Sequence, residues 1–372
     1  MRRALVALLA CTTIAVACSG GPSSTSPGPT RTANINRSRL DIAYSAFVDQ
    51  DVHHVTSKKA LEGALQAVRK VINDAGGKGD VATPEFQDVD SPQTTDFDKF
   101  ADVVSQLVTS NPDVSVNKIS DAAIGGLIDA SPDCHTYYVT SSAVHQSRPF
   151  IPRGSSAMIP AQGTSLGAAD QAGLTGKILP GGIAYITWRE WTVTGSYKIV
   201  AQLRALLDKA VAHGAKAWLF DLRGNLGGVA TDAHSMFLNG EPAFTTMLKT
   251  GGGGTATGNK DLRLPDAYQL PIVLVLNDRS ASDTEIFALS LEENKRATIV
   301  GQKTVGCLGS ASPNHFSDGA ELAVAVEELA GARTGAKYNN VGIPPDQSVA
   351  DAQAVETAAS FLRDQIAKGS KP

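Results

Sequence analysis

Ile272-Val-Leu-Val-Leu-Asn-Asp-Arg-Ser-Ala-Ser-Asp-Thr-Glu-Ile286 joins two hydrophobic periodicities in one short stretch. Ile272 to Leu276 is an unbroken apolar run, the pattern of a strand covered on both faces. From Ser282 to Asn294 the period becomes helical, and Ser282-x-x-Glu285 is the spacing of a capping box. A buried strand feeding a capped helix is one βα unit of a layered sheet. Upstream lie a strand at Ile183–Trp188, a helix carrying Ile199, Leu203, Leu206, Leu207, Ala210 and Val211 that Gly214 ends, and a strand at Trp218–Leu222. A helix follows over Thr231–Leu238, and downstream come strands at Ala297–Val300 and Glu321–Glu328 and a helix at Ala352–Ala367. The alternation predicts an α/β core over residues 183–368.

The chain before this core is helical in pattern. Leu40, Ala43, Tyr44, Phe47 and Val48 share one face, as do Leu61, Leu65, Val68 and Ile72. Further helices are expected at Phe97–Val108 and Asp121–Ala130, with Ser57 and Asp96 as N-caps. These make a small N-terminal helical domain over 37–145. Residues 79–95 and 141–182, rich in Pro, Gly, Ser and Gln, read as loops, so 146–182 is expected to be a linker.

Met1-Arg2-Arg3, the apolar run Ala4–Ala17 and the small residues before Cys18 form a signal peptide over 1–17. Two processing routes fit. Cys18 after small residues resembles a bacterial lipobox, which would place a lipid on Cys18 and hold the protein at the outer side of the cell membrane. The same Ala-x-Ala ending fits plain cleavage and secretion. Residues 18–36 then form a flexible tether, uncharged through Thr30. A net charge of −4 and a pI near 6.0 leave no basic surface for a nucleic acid, so none is expected as a partner.

Two segments carry candidate chemistry. Ser282 reads either as a helix cap, worth about 1 kcal/mol, or as a nucleophile whose developing charge the helix N-terminus favours. The N–H of Asp283 follows it and would face an oxyanion. Asp221-Leu-Arg-Gly-Asn-Leu-Gly-Gly228 leaves a buried strand, and its glycines let the backbone approach a ligand without a Cβ between. Arg223 and Asp221 are expected to pair. Ser280-x-x-Asp283 offers a second capping pattern, so Ser280 competes with Ser282 at this point. His53 and His54 are adjacent, a poor arrangement for one metal; no metal site is expected. Gly251–Gly254 lacks the Lys-Ser/Thr of a phosphate loop and reads as a plain loop.

Asp133-Cys-His-Thr-Tyr-Tyr138, Asp221–Gly228, Leu276–Gly306 and Val341-Gly-Ile-Pro-Pro-Asp346 occur in the order found in S41 serine peptidases, and the chain resembles that family from about 121 to 349. The family comprises tail-specific (C-terminal processing) and tricorn-like proteases. The resemblance implies a crotonase/ClpP-like βαβ core preceded by the helical domain, and no cofactor. It puts the nucleophile on Ser282 rather than Ser280, and the oxyanion role on Gly227 and Gly228 with Asp283. Two departures stand out. The position of the tail-specific lysine is Cys307, and Lys303 lies before the turn, so a Ser–Lys dyad is absent. The stretch between His135 and Ile183 is also too short for the family's inserted PDZ module.

The tricorn-like branch takes its base from a histidine before the core, which His135 resembles; a neutral imidazole suits that task. The orienting glutamate of that branch is replaced by Asn339 or Asn340. Adjacent side chains of an extended segment point apart, so Cys134 is not expected to meet His135. In an exported protein Cys134 and Cys307 most simply form a disulfide, worth up to ~5 kcal/mol in the chain-entropy model. The expectation is an exported serine peptidase acting on peptide or protein substrates through an acyl-enzyme with a Ser–His arrangement. The alternative is a non-catalytic, peptide- or ligand-binding lipoprotein on the same scaffold.

Overall fold

The computed structural model describes residues 34–147, 156–191, 198–228 and 232–369. The expected signal peptide, Cys18 and most of the tether lie outside them. Four helices come first: α1 (Arg37–Gln50), α2 (Ser57–Asp74), α3 (Thr94–Ser110) and α4 (Val116–Asp129). Strands β1 (Tyr137–Val139), β2 (Val144–Gln146), β3 (Thr164–Ser165), β4 (Thr175–Leu179) and β5 (Ile183–Thr187) follow. Then come α5 (Ile199–Ala212), β6 (Ala217–Asp221), β7 (Pro242–Leu248), β8 (Thr255–Thr257) and β9 (Ile272–Leu276). The chain continues through α6 (Asp283–Glu293), β10 (Ala297–Gly301), β11 (Gly309–His315), β12 (Glu321–Gly331), β13 (Gln347–Ser348) and α7 (Asp351–Ala367).

The larger sheet runs β13-β10-β9-β6-β5-β4-β3, with β5, β6, β9 and β10 parallel. Strand alternation divides its side chains between two cores. Ile272, Leu274, Leu276, Trp218, Phe220, Ala184 and Ile186 pack with α5 and α6. Val273, Val275, Leu219 and Tyr185 pack under Ala354, Ala358 and Leu362 of α7. Burial on both faces is why these strands are apolar throughout.

The second sheet, β2-β1-β12-β7-β8 with β11 also paired to β12, lies between this core and the first four helices. Leu329 of β12 joins the α5–α6 core, whereas Leu322 and Val324 join α1–α4. Helices α1–α4 therefore share a core with strands drawn from the other end of the chain. Within that core Ser57 and Asp96 are not caps. Thr56 caps α2, accepting from Lys59 N at 3.3 Å, and Ser57 is buried, its hydroxyl donating to Asp96 Oδ2 at 3.0 Å.

The expected loop over 141–182 contains β2, β3 and β4, and β4 pairs along its whole length with β5. Its Gly- and Lys-bearing sequence Thr-Gly-Lys-Ile-Leu concealed a strand in which Lys177 and Ile178 are only partly buried. The expected helix 231–238 is a 3₁₀ segment over Asp232–Met236, Thr231 lying outside the described residues.

Candidate active site

Strands β6 and β9 are parallel neighbours, paired from Trp218↔Ile272 to Asp221↔Val275, so the loops at their carboxyl ends emerge side by side. In open α/β sheets this is where ligands bind. The β6 loop is held rigidly. Arg223 forks onto Asp221, Nε to Oδ1 at 2.9 Å and Nη2 to Oδ2 at 2.7 Å, and Tyr185 donates its hydroxyl to Oδ2 at 3.1 Å. The expected Asp221–Arg223 pair is thus buried scaffold. Ala281 N donates to Asn225 O at 3.0 Å and stitches the two loops together.

The two serines part company here. Ser280 is fully buried, donating its hydroxyl to Leu222 O at 2.9 Å and accepting from Asn277 N at 3.1 Å. Ser282 is partly exposed and sits immediately before α6 with φ 53° and ψ −122°. A left-handed φ on a non-glycine residue costs on the order of 1–3 kcal/mol and persists only where the surroundings enforce it. A serine on a sharp strand-to-helix turn of this kind projects its hydroxyl out of the sheet.

Gly227 packs directly against that serine. A Cβ built on it would meet Ser282 Cβ at 2.6 Å, Ala281 O at 2.7 Å and Asp283 N at 2.9 Å, and its φ is +91°. Only glycine fits. Its own N–H donates to Asn225 Oδ1 at 3.0 Å, so of the two glycine amides assigned to the oxyanion, Gly227 is engaged elsewhere and Gly228 remains. Asp283 N is the first N–H of α6, a position that helix geometry leaves without an intrahelical acceptor.

Glu285 fixes the elbow. It is buried, and its Oε2 accepts Ser282 N at 3.0 Å and Cys307 N at 2.7 Å. Its Oε1 accepts Gly306 N at 2.7 Å and the Thr304 hydroxyl. Burial pushes this carboxyl upward in pKa, and the four donors work against that push. Glu285 is therefore more than the N3 partner of a cap. It clamps the serine to the Thr304–Cys307 turn.

That turn leads to the histidine. Cys134 and Cys307 are joined by a disulfide, with Cα atoms 5.9 Å apart, and His135 Nε2 lies 3.7 Å from Cys307 Sγ. The imidazole is thus carried to the turn that shares a carboxylate oxygen with Ser282. Cys134 Sγ is 3.3 Å from His135 Nδ1, contrary to the expectation that the two side chains diverge. The segment is not extended here. Thr136 N bonds back to Asp133 O at 3.2 Å, and the resulting turn puts both side chains on one side.

The carboxylate on His135 is Asp133, a residue passed over in the sequence. Its Oδ1 lies 3.2 Å from His135 Nδ1 and accepts His135 N at 2.7 Å. Its Oδ2 lies 2.9 Å from His53 Nε2 and accepts Asn339 Nδ2 at 2.7 Å. Burial pushes the Asp133 carboxyl up, but the bonds to His135 and His53 outweigh it and hold the group well below the usual carboxylate range. With Nδ1 turned to Asp133, Nε2 is the nitrogen left to accept a proton. Asn339 acts one step removed, bracing Asp133 rather than the ring, while Asn340 donates to Pro132 O at 3.2 Å. His53, which the sequence marked only as half of an adjacent histidine pair, belongs to this network, and its bond to Asp133 raises its pKa against the opposing effect of burial. An Asp two residues before a His was the available signal for Asp133. Nothing local marks His53.

Asp283 carries a second electrostatic feature. Its side chain is buried, Oδ2 has no partner among the described residues, and burial pushes its pKa up to about 7. A neutral carboxyl there keeps negative charge away from the first N–H of α6. Between about pH 4 and 7 the folded chain holds a proton that the unfolded chain has released, so stability falls as pH rises through that window and levels off above it. Asp283→Asn is expected to remove this decline, raising stability at pH 8 by about 2–4 kcal/mol relative to the unsubstituted chain and by nothing at pH 4. Urea unfolding at both pH values measures it; equal effects at the two would refute the assignment.

A strained serine between a parallel strand and a helix is a geometry that some serine hydrolases use to present a nucleophile. Residues 182–349 match the profile of Peptidase family S41, and this core is similar to that family. It is 32% identical over 178 residues to a carboxyl-terminal-processing protease of Synechocystis, a match covering 45% of this chain and 38% of that protein. It is 28% identical over 129 residues to the carboxy-terminal processing protease CtpA of Bacillus subtilis, covering 34% and 27%. The chain therefore spans well under half the length of these relatives. A candidate peptidase from Parabacteroides merdae aligns over 81% of this chain and 96% of its own, with a TM-score of 0.53 and 18% identity, and shares the fold.

Proposed function

We propose that this chain is an exported serine peptidase, anchored through lipid on Cys18, in which Ser282, His135 and Asp133 act as a triad. Ser282 Oγ attacks a substrate carbonyl carbon as its proton passes to His135 Nε2. The N–H groups of Gly228 and Asp283 hold the oxyanion, with Gly227 providing the close approach. The imidazolium then protonates the leaving amine nitrogen as the C–N bond breaks, leaving an acyl-enzyme. His135 takes a proton from water, the resulting hydroxide attacks the acyl carbon, and Ser282 regains its proton. Asp133 holds the ring through Nδ1 and leaves Nε2 to act as the base. Cys307 does not replace the lysine base, because its sulfur is in a disulfide.

The observation carrying this reading is the left-handed conformation of Ser282, enforced by Glu285 against the turn beside the carboxylate-bonded His135. A fluorophosphonate probe followed by peptide mapping tests it. One adduct, on Ser282, is the expected result; an adduct confined to another residue, or none on folded protein, overturns it. The second reading, a binder without turnover, draws on the disulfide sulfur standing 3.7 Å from the proposed basic nitrogen. It predicts no adduct together with retained peptide binding. The intact mass of the mature protein decides the anchor: acyl mass on Cys18 supports it, and its absence indicates plain secretion.

A further inference from the structure

Cys134, His135 and Cys307 form the one group of three or more potential metal-ligating residues found among the described residues, and their ligand atoms lie within 4.8 Å of one another. We propose that, once the Cys134–Cys307 disulfide is opened by a dithiol reductant, these three side chains bind a soft divalent cation, zinc by preference. The chemistry balances simply. The reductant gives two electrons and two protons to the S–S bond and becomes a disulfide itself. The cation then displaces the two thiol protons.

Three observations support the fit. Zinc bound at about 2.3 Å to sulfur and about 2.0 Å to nitrogen in a tetrahedron sets sulfur and nitrogen about 3.5 Å apart, and Cys307 Sγ already lies 3.7 Å from His135 Nε2. Two thiolates with one imidazole is a donor set suited to zinc, with a fourth position left to water. Asp133 already occupies His135 Nδ1, 3.2 Å from Oδ1. That is the outer carboxylate that orients a metal-binding histidine and raises its basicity. The sulfurs must part to about 3.8 Å for this geometry, which rotation about their side-chain bonds supplies. A cation held by both thiolates also closes the same loop of 173 residues that the disulfide closes, so the reduced chain keeps its cross-link.

Binding of the cation stands independently of the peptidase reading. Only its effect on serine reactivity rests on that reading, because the metal takes the nitrogen assigned as base.

Cobalt(II) is the probe, added to the full mature protein after reduction with a phosphine and its removal by desalting without oxygen. The expected result is one equivalent of cobalt with thiolate charge-transfer absorption, displaced by zinc, and no such band in the oxidised protein. Cys307→Ser should weaken binding at least tenfold, and alkylation of both thiols should abolish it without any substitution. A reduced protein that shows no band, a band unchanged by alkylation, an equal band in the oxidised protein, or loss of far-UV circular dichroism on reduction each overturns the proposal. Fluorophosphonate labelling in parallel separates the two readings. An oxidised, metal-free protein that does not label refutes the peptidase and leaves the cobalt result intact.

Discussion

Ser282→Ala is expected to lower peptide hydrolysis by at least about a thousandfold and to abolish fluorophosphonate labelling, while the chain stays folded. Removal of the nucleophile from a triad leaves only what the oxyanion donors and substrate binding supply, so the loss is of the size seen when any such set is broken. Stability should change little. Alanine loses a cap worth about 1 kcal/mol, and the left-handed backbone remains imposed by Glu285, whose bond is to the main-chain N–H of residue 282 rather than to its side chain. For a chain of this size that corresponds to a few degrees in Tm at most. Hydrolysis surviving the substitution on a purified protein with a normal melting curve would remove Ser282 from the chemistry.

Asp133→Asn is the second large effect, with kcat expected to fall about 10³–10⁴-fold while KM changes little. The carboxylate is the group bonded to His135 Nδ1, and an amide in its place no longer enforces the ring orientation or stabilises an imidazolium; in other triads this exchange costs about 10⁴. The site also explains why an amide fits badly. Asn339 Nδ2 donates to Oδ2 at 2.7 Å, so the substituted side chain turns its own NH₂ either toward that donor or toward His135. Because Asp133 also braces His53, some stability is lost as well. The kcat-against-KM split separates positioning from unfolding. A loss of activity matched by the loss of folded protein, with normal kcat per folded molecule, would mean that Asp133 is scaffold alone.

The sheet was legible because burial on both faces leaves no room for polar residues, as in Ile272–Leu276 and Trp218–Phe220. Strands with an exposed side were not. β4, β7 and β11 contain Gly, Lys, Pro, Thr, Ser and Asn, whose pattern reports the solvent rather than the ladder. At the site, Ser282, the glycine turn and His135 stood out through short motifs. What escaped depended on turns and on distant pairing. Asp133 faces His135 only because residues 133–136 form a turn, and His53 reaches Asp133 across 80 residues. The claim of Asn225 Oδ1 on the Gly227 N–H is likewise invisible before the loop is folded. Ser282 combined two readings that competed in the sequence: it does precede a helix, and its strain comes from the glutamate of the same cap.

Strand β12 belongs to two cores at once, and this bears on how the chain is made. Helices α1–α4 are synthesised first, yet Phe316, Leu322 and Val324 complete their apolar interior, and Val52 N bonds to Ala325 O at 2.9 Å. Contacts between segments so far apart along the polymer close late and slowly. The leading third of the nascent chain must therefore wait, with an apolar flank uncovered, until the final quarter arrives. A chain cut short before residue 316 should collect in inclusion bodies or be degraded, whatever the state of its helices.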